Sequence, residues 1–509
     1  MSLVYSNVLQ LNSLVKTSDI SKERLLLLTS KPDQIKSLTG LGDSNVKLIE
    51  QEVDCCDLQI GLISQLNDLV KSGQYDYVII EGDDSSDPFD FAEILSLEND
   101  DPELEDDDED DEHDEPNPEL SKKVKEILKN GGLSKLIKID STLSVISSGE
   151  FFDNFNSIEF VGPKDNDNEG EDEEDESTLT DALISQIELA DYVLLTNVTG
   201  DNDKVKSVVK ALNPSATVFD GNVEAKSVLN TNKFDNDSIT EPHWVKVVKN
   251  PQGGDSSFEE NGVVSFVYRR RQPFHPERLH NLIKSSFHFI QSSENPEDDE
   301  EWEDEEFDEE EQEGKGKGKA AGDGAEEKPK SKSSDFTDEI TTENLVEAVE
   351  KKKQSSIFNN LLRSKGSFWL DSRNTVGGAW NQSGPVLGAA SGELWYNSIP
   401  PEDELKNASE DDITYIKNVA FEKPFGDRRQ EIYFVGGPGF NRNEFEKALD
   451  GALLTNDEMK SYDNIFNEQL GVFERDEKLS NEFKGDDLYV PWIDSMIMAL
   501  MDEADEDEE

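Results

Sequence analysis

The sequence predicts an α/β protein, a doubly wound parallel sheet followed by a smaller α+β domain, with disordered acidic insertions. Three observations carry this. Short apolar runs alternate with helically spaced apolar residues through the first 220 positions. A second set of strand-like runs, several flanked by arginines, lies between 262 and 460. In a chain of 509 residues with net charge −66, 45 of the 115 acids fall in four tracts without lysine or arginine: Glu98–Glu115, Asp165–Glu176, Glu294–Glu313 and Asp502–Glu509. Such tracts repel themselves and bring no apolar surface to offset chain entropy, so they are expected to be disordered.

Taken in order, Leu25–Leu28 is a buried-strand run, and apolar residues at 58, 62, 63, 66, 69 and 70 predict a helix over Leu58–Val70. Tyr75–Ile80 is a second strand, and strand, helix, strand implies a parallel pair. After an acidic insertion at 98–118 come a helix over Leu120–Leu128, a strand over Leu136–Ile139, a second insertion at 164–178, a helix over Ala182–Glu188 and a strand over Tyr192–Leu195. A helix over 203–212 stops at Asn213-Pro214, and Ala216–Phe219 is another strand. These make residues 1–220 the first domain.

Residues 221–261 are polar, with little periodicity, and read as a linker. In 262–460, Val263, Val264, Phe266 and Tyr268 form a strand, and His275-Pro276-Glu277 starts a helix with proline at the first helical position. Gly366–Arg373, Trp380–Gln382 and Phe425–Phe434 supply further strands, and 294–335 is a disordered insertion. Residues 461–509 add an extension with an acidic tail. Its apolar residues Tyr489, Trp492, Ile493, Met496, Ile497 and Leu500 have helical spacing, the pattern of a core or docking face.

Composition excludes several classes. No basic segment precedes an apolar run at the start, and nowhere do eighteen apolar residues occur together, so a cytoplasmic protein without a membrane partner is expected. The two cysteines, Cys55 and Cys56, are adjacent, which rules out a disulfide framework. The acidic surface opposes nucleic acid, whose phosphates need neutralising. No Ser/His/Asp set or other self-contained catalytic group emerges, so no catalytic residue is assigned.

Five words of the second half occur in a recognisable order: Arg270-Arg-x-Pro-Phe-His-Pro-Glu-Arg-Leu279, Arg363-Ser-Lys-Gly-x-Phe-Trp-Leu370, Trp380 followed by Gln382, Gly426-Asp-Arg-Arg-Gln-Glu431, and Ala448-Leu-Asp-x-x-Leu-Leu-Thr455. Together they resemble the C-terminal domain of the CobW family of GTPase-type metallochaperones. The resemblance implies a P-loop GTPase-like first domain, a metal-related role of the zinc or cobalt type, and a client metalloprotein or other protein as partner.

The nucleotide motifs of that family are altered here. No G-x-x-x-x-G-K-[ST] occurs. In one register Lys36 and Ser37 take its lysine and hydroxyl positions, with Asp33 and Ile35 in place of glycines. In the other, preferred because it leaves more room before the cysteines, Leu25–Leu28 matches the family's next strand, and the loop and first strand are missing. Glu81-Gly-Asp-Asp-Ser-Ser-Asp-Pro88 resembles the segment that supports Mg²⁺ and the γ-phosphate; Glu81, Asp83 and Asp84 would either hold a hard cation or form a solvated loop. Asp140 falls where the family has an aspartate ending a strand. The base-reading Asn-Lys-x-Asp falls on Thr196-Asn197-Val198-Thr199, which keeps the asparagine and loses the lysine and aspartate. Glu81 and Asn197 are thus vestigial nucleotide positions, and neither GTP nor Mg²⁺ is an expected cofactor.

The family's Cys-x-Cys-Cys becomes Val53-Asp-Cys-Cys56, with two of three thiols. Two thiolates bind Zn²⁺ or Cu⁺ if other ligands complete the shell; otherwise adjacent cysteines are small buried hydrophobes. His275, His280 and His288 are expected on or at the start of one helix, in capping and packing roles. Arg269, Arg270, Arg271, Arg428 and Arg429 are expected to pair with the chain's own acids, such as Glu277, Asp427 and Glu431. Three readings follow: a CobW-like metal chaperone or metal-homeostasis protein without efficient GTP turnover, an acidic pseudo-GTPase adaptor that binds partners through its C-terminal domain, or a working GTPase that uses an unrecognised loop.

Overall fold

The computed structural model describes, besides a few isolated positions, residues 25–29, 46–50, 56–72, 77–82, 87–96, 137–159, 178–197, 201–221, 231–249, 258–292, 341–395 and 423–492. Two sheets organise them. The first is six-stranded and wholly parallel, built from β1 (Leu25–Thr29), β2 (Val46–Glu50), β3 (Tyr77–Gly82), β4 (Ile139–Ser147), β5 (Tyr192–Thr196) and β6 (Thr217–Asp220), in the order β2-β3-β1-β4-β5-β6. Its helices include α1 (Cys56–Ser72), α2 (Pro88–Ser96), α3 (Leu179–Glu188) and α4 (Asn202–Leu212). This is the expected doubly wound arrangement.

Parallel strands covered on both faces are buried along their length. In β5 all five residues are buried, and in β4 all but one. β4 corrects the expected strand at Leu136–Ile139: the strand begins at Ile139 and runs through Asp-Ser-Thr-Leu-Ser-Val-Ile-Ser. Those polar residues hide the strand from an apolar-run reading, yet each finds a partner. Ser141 Oγ donates to the Val228 carbonyl at 2.7 Å, and Thr142 Oγ1 to that of Leu189 at 2.8 Å. The Ser144 hydroxyl donates to the Gln186 carbonyl. Burying a hydroxyl costs little once it is hydrogen-bonded.

Within 221–261, read as linker, the chain forms short helical turns at Asp237–Thr240 and α5 (His243–Val248), then β7 (Phe258–Glu260). The second sheet continues with β8 (Val263–Arg270), β9 (His288–Gln291), β10 (Leu361–Phe368), β11 (Val376–Ser383), β12 (Val386–Leu394) and β13 (Gln430–Gly436), in the order β7-β8-β13-β10-β11-β12-β9. Only the β12–β9 pairing is parallel. Helices α6 (Pro276–Lys284), α7 (Thr342–Gln354), α8 (Arg442–Asp450), α9 (Asn456–Phe466) and α10 (Val472–Glu482) complete the unit.

The period of two along β8 and β13 decides what each face buries. Phe266, Tyr268, Ile432 and Phe434 point into a core shared with α6 and α8, through Leu279, Ile283, Phe445 and Leu449. Val263, Val267, Tyr433 and Val435 point the other way, into a core built from Val205, Val208, Val209 and Leu212 of α4 and from α5. Tyr433 Oη donates to the Ala211 carbonyl at 2.6 Å across that boundary. A third cluster joins Trp369, Trp395 and Phe425 to Tyr462, Ile465 and Leu479 of α9 and α10. Tyr489 and Trp492 are buried in the first of these cores, but extended chain follows the short helical turn Asp486–Leu488 and carries Tyr489, instead of the expected helical stripe. Residues 493–500 of that stripe lie outside the described residues.

Gly366, in the middle of β10, has φ +151°, and a Cβ there would lie 2.3 Å from the Glu431 carbonyl oxygen and 2.8 Å from Ile432 Cα. Backbone cannot swing aside as a side chain can. Gly366→Ala is therefore expected to lower the thermal midpoint by at least about 4 °C, read by calorimetry. An unchanged midpoint would mean that β10 and β13 do not approach this closely.

Candidate functional site

In an open parallel sheet, ligands bind beyond the carboxyl ends of the strands, at the point where the strand order reverses. Here β1 lies between β3 and β4, and the chain moves outward on one side through β3 and β2 and on the other through β4, β5 and β6. The reversal point is therefore the end of β1, at Thr29. This corrects the preferred register: Leu25–Leu28 is the central strand from which a phosphate-binding loop would leave, not the strand after it. The position for such a loop exists, and the residues that follow, Ser30 to Ser37, carry none of its glycines. Lys36 and Ser37 lie outside the described residues.

Glu81 sits in β3, in register with Leu28 on one side and Glu50 on the other. Asn197 follows β5 with φ 46° and is exposed, and its Nδ2 donates to Ser147 Oγ at 3.3 Å. Both predicted positions therefore reach the carboxyl edge, on either side of the reversal point. With β1 and β4 between their strands they are three strand spacings apart, about 14 Å. Cys56 is the first residue of α1, six positions after the end of β2 at this same edge. Cys55, Asp83 and Asp84 lie outside the described residues. Among the described residues, no group of three or more His, Cys, Asp or Glu side chains is placed to hold a metal ion.

Next to Asn197 the edge is closed by residues the sequence reading did not single out. Ser148 Oγ donates to Asn202 Oδ1 at 2.7 Å, and the Asn202 amide and the Lys206 ammonium both donate to the carboxylate of Asp220, at the end of β6. Asp220 thus has a cation and an amide from its own chain. The only local signal for this network was an aspartate closing a strand, which is common in any α/β fold.

Asp140 is corrected. It lies near the start of β4, at the opposite edge of the sheet, with no exposed surface, and its carboxylate accepts the backbone N–H of Asn232 at 2.5 Å and of Thr231 at 3.2 Å. It pins the segment after 230 and has no access to a nucleotide.

The histidines do not share a helix. His275 precedes α6 as its N-cap residue without a side-chain cap bond, His280 lies within α6 with its ring 5.7 Å from that of Phe289, and His288 begins β9. The helix ends at Lys284, so the eight-residue spacing spans a turn. The arginines do meet the chain's own acids. Glu431 receives Arg269 at 2.7 Å and Arg429 at 2.6 Å, and Arg270 binds Asp450 at 2.7 Å. Arg271 and Arg428 donate to carbonyls, of Gly426 at 2.8 Å and of Asn374 at 2.8 Å.

Two groups of buried acids remain. Asp371, after β10, is fully buried, and neither oxygen accepts a well-formed hydrogen bond. Burial, reinforced by the nearby negative charge of Asp486, pushes its carboxyl up to about 9. Asp87 and Glu188 lie where the two sheets' layers meet, and burial raises both. Glu188 is opposed by Arg363, 3.7 Å away and equally buried.

Comparison with known proteins gives three findings. The cobalamin synthesis protein cobW C-terminal domain matches residues 331–453. Over 433 residues the chain is 25% identical to zinc-regulated GTPase metalloprotein activator 1 of Dictyostelium discoideum, an alignment covering 84% of this chain and 69% of that protein. Among solved structures, Zn(II)-bound YjiA GTPase from E. coli aligns at 13% identity with a TM-score of 0.29, covering 86% of this chain and 100% of its own, and a Zn(II)-bound triple mutant of YjiA does so with a TM-score of 0.28.

The Asp371 carboxyl yields a signed pH dependence. The unfolded chain ionises it near pH 4, while the folded chain keeps the proton to about pH 9. Stability is thus lost as pH rises through that window, by at most about 1.4 kcal/mol per unit. Asp371→Asn is expected to match wild type at pH 4.5 and to exceed it increasingly toward pH 8 in chemical denaturation. A constant difference across that range would exclude a neutral Asp371.

Proposed function

Since this chain carries a cobW C-terminal domain, we propose that it is a metallochaperone-type metal-homeostasis protein, that its cargo is zinc, and that it hands the ion to a client protein. The observation that carries this reading is the pair of adjacent cysteines in the sequence, Cys55 and Cys56, the second of which is the first residue of α1. The relative found over most of the chain is named as zinc-regulated and as a metalloprotein activator, which supports the same reading. Thiolates are the ligands that favour Zn²⁺ over the hard cations.

GTP with Mg²⁺ fits this site poorly. The sequence after β1, Ser30 to Ser37, lacks the glycines that let backbone N–H groups close on phosphates. At the base-reading position, the Asn197 amide donates to Ser147, and the neighbouring Asp220 carboxylate is taken by Asn202 and Lys206. The lysine and aspartate that would read a base are absent from the sequence. Phosphate and base contacts are independent sources of affinity, and their joint loss favours a scaffold that works without nucleotide turnover. Where an NTPase would couple hydrolysis to release, release here rests on the client competing for the ion.

Zinc titration with a chromophoric competitor is expected to show one tight site per chain, weakened at least about a hundredfold by Cys55→Ser with Cys56→Ser. Calorimetry with GTP and Mg²⁺ is expected to show no saturable heat. Unchanged zinc affinity in the double variant would sink the thiol assignment, and micromolar GTP binding would sink the loss of nucleotide function.

A further inference from the structure

The stretch matched by the cobW domain ends at residue 453. After α10 the chain returns over that domain as a short strap, 484–492, made of the helical turn Asp486–Leu488 and extended backbone from Tyr489. Among the described residues, the backbone–backbone hydrogen bonds of the strap stay within it, from the Leu488 N–H to the Gly485 carbonyl and from the Tyr489 N–H to that of Asp486. Side chains of the surrounding groove hold its backbone instead. Gln291, the last residue of β9, donates from Nε2 to the Leu488 carbonyl at 3.1 Å and accepts the Val490 N–H on Oε1 at 3.2 Å. Arg373, between β10 and β11, donates to the Tyr489 carbonyl at 3.2 Å and to the Val490 carbonyl at 2.7 Å. One amide and one guanidinium thus serve the polar groups of 488–490 as a neighbouring strand would in a sheet.

Three spaced side chains of the strap meet matching features of the groove. The Asp486 carboxylate accepts from Ser372 Oγ at 2.5 Å and from Arg373 Nε at 2.9 Å. Tyr489 is 2% exposed; its ring lies against His280 and Phe289, with centroids 5.9 and 6.0 Å away, and its hydroxyl donates to the Pro276 carbonyl at 3.3 Å. The ring centroid of Trp492 is 5.5 Å from that of Phe368 and 4.2 Å from the Arg373 guanidinium. Its slot exists because β11 has no side chain at Gly378, where a Cβ would fall 2.6 Å from Trp492 Cη2. Pro491 is exposed, and its ring keeps itself and the preceding Val490 in extended backbone.

Main-chain bonds that give affinity, with pockets for spaced side chains that give specificity, are the means by which domains recognise extended peptides. We propose that the groove between α6, β9 and the β10–β11 turn is a peptide-binding site, that the strap is its ligand in cis, and that a partner protein enters by replacing the strap with an extended segment of the same chemistry. That segment carries a carboxylate, a tyrosine three residues later and a tryptophan three residues after that. Ser372 and Arg373 present donors at the first position, which selects an acid and rejects a base. Receptor and occupant are separate in the sequence: Arg373 and Gly378 lie within the matched stretch 331–453, and the strap follows it. Tethering gives the strap an effective concentration in the millimolar range, so the groove is closed to weak peptides and open to a partner that adds contacts elsewhere. The inference does not depend on metal binding; it supplies a surface by which a partner is held.

The test uses the full chain. A fluorescent peptide with the sequence of residues 484–492 is titrated into wild type and into Tyr489→Ala with Trp492→Ala, whose own strap has lost both aromatic anchors. Anisotropy is expected to show saturable binding by the double variant, at least about tenfold tighter than by wild type, and a loss of at least about tenfold when Arg373→Met is added. Equal binding by wild type and the double variant, or none by a double variant shown to be folded, overturns the proposal. Hydrogen exchange of wild type decides the matter even if the double variant fails to fold. The strap amides 488–490 are expected to exchange at least about tenfold faster than those of 361–368, by local opening. Equal protection would mean that the strap opens only with the whole domain, and overturns its role as a ligand. Concentration-dependent dimers of wild type that the peptide does not dissociate assign the groove to a second copy and overturn the partner reading.

Discussion

The structure depends on one wall. The β8–β13 pair is buried on both faces, and alternation alone sends Phe266, Tyr268, Ile432 and Phe434 to one core and Val263, Val267, Tyr433 and Val435 to another. A strand with one wet face tolerates polar substitution there; this pair has no wet face. The two halves consequently do not resemble beads joined by a string, since the first half supplies part of the cover for the second half's sheet. That arrangement explains why residues 221–261, polar as they are, fold back: α5 must lie over Tyr433, whose ring centroid is 6.1 Å from that of His243.

Against this wall the chemistry is divided by edge and by depth. The carboxyl edge of the parallel sheet gathers Glu81, Asn197 and the start of α1, whereas the arginine-rich words of the second half are occupied with Glu431, Asp450 and backbone carbonyls. The second half thus spends its conspicuous cations on its own architecture, and Arg363 and Lys365 are the ones turned toward the first half. The Glu188–Arg363 pair gives the two halves a buried, directional contact.

Legibility in the sequence followed the range of the interaction. Strands and helices set by local apolar period were readable: α1, β3, β5, α4, β8 and the proline start of α6 appear where the pattern puts them. β4 was not, because Asp140, Ser141, Thr142 and Ser144 are made tolerable only by partners tens of residues away, such as Val228 and Leu189. The place of β1 was misread for a similar reason. A four-leucine run states that it is buried and says nothing about which strands flank it, and only the pairing with both β3 and β4 makes it central. At the candidate site, Glu81 and Asn197 were found through a motif, while Asn202 and Asp220 form a pair whose meaning exists only once β5 and β6 lie side by side. The acids Asp87, Asp181 and Glu188 were invisible as a set, being scattered over 100 positions and united by an interface.

The wall also has a history in time. Arg270 of β8 pairs with Gln430 of β13, so one strand leaves the ribosome about 160 residues before the other. At about 5–20 residues per second, β8 waits roughly ten to thirty seconds with no neighbour on the β13 side, while α4 and α5, which cover its Val263 and Val267 face, are already made. During that interval the growing chain adds the tract with the largest number of acids, Glu294–Glu313. Like charges repel, so a tract of one sign following an unpaired apolar strand in the sequence opposes the association of two such chains.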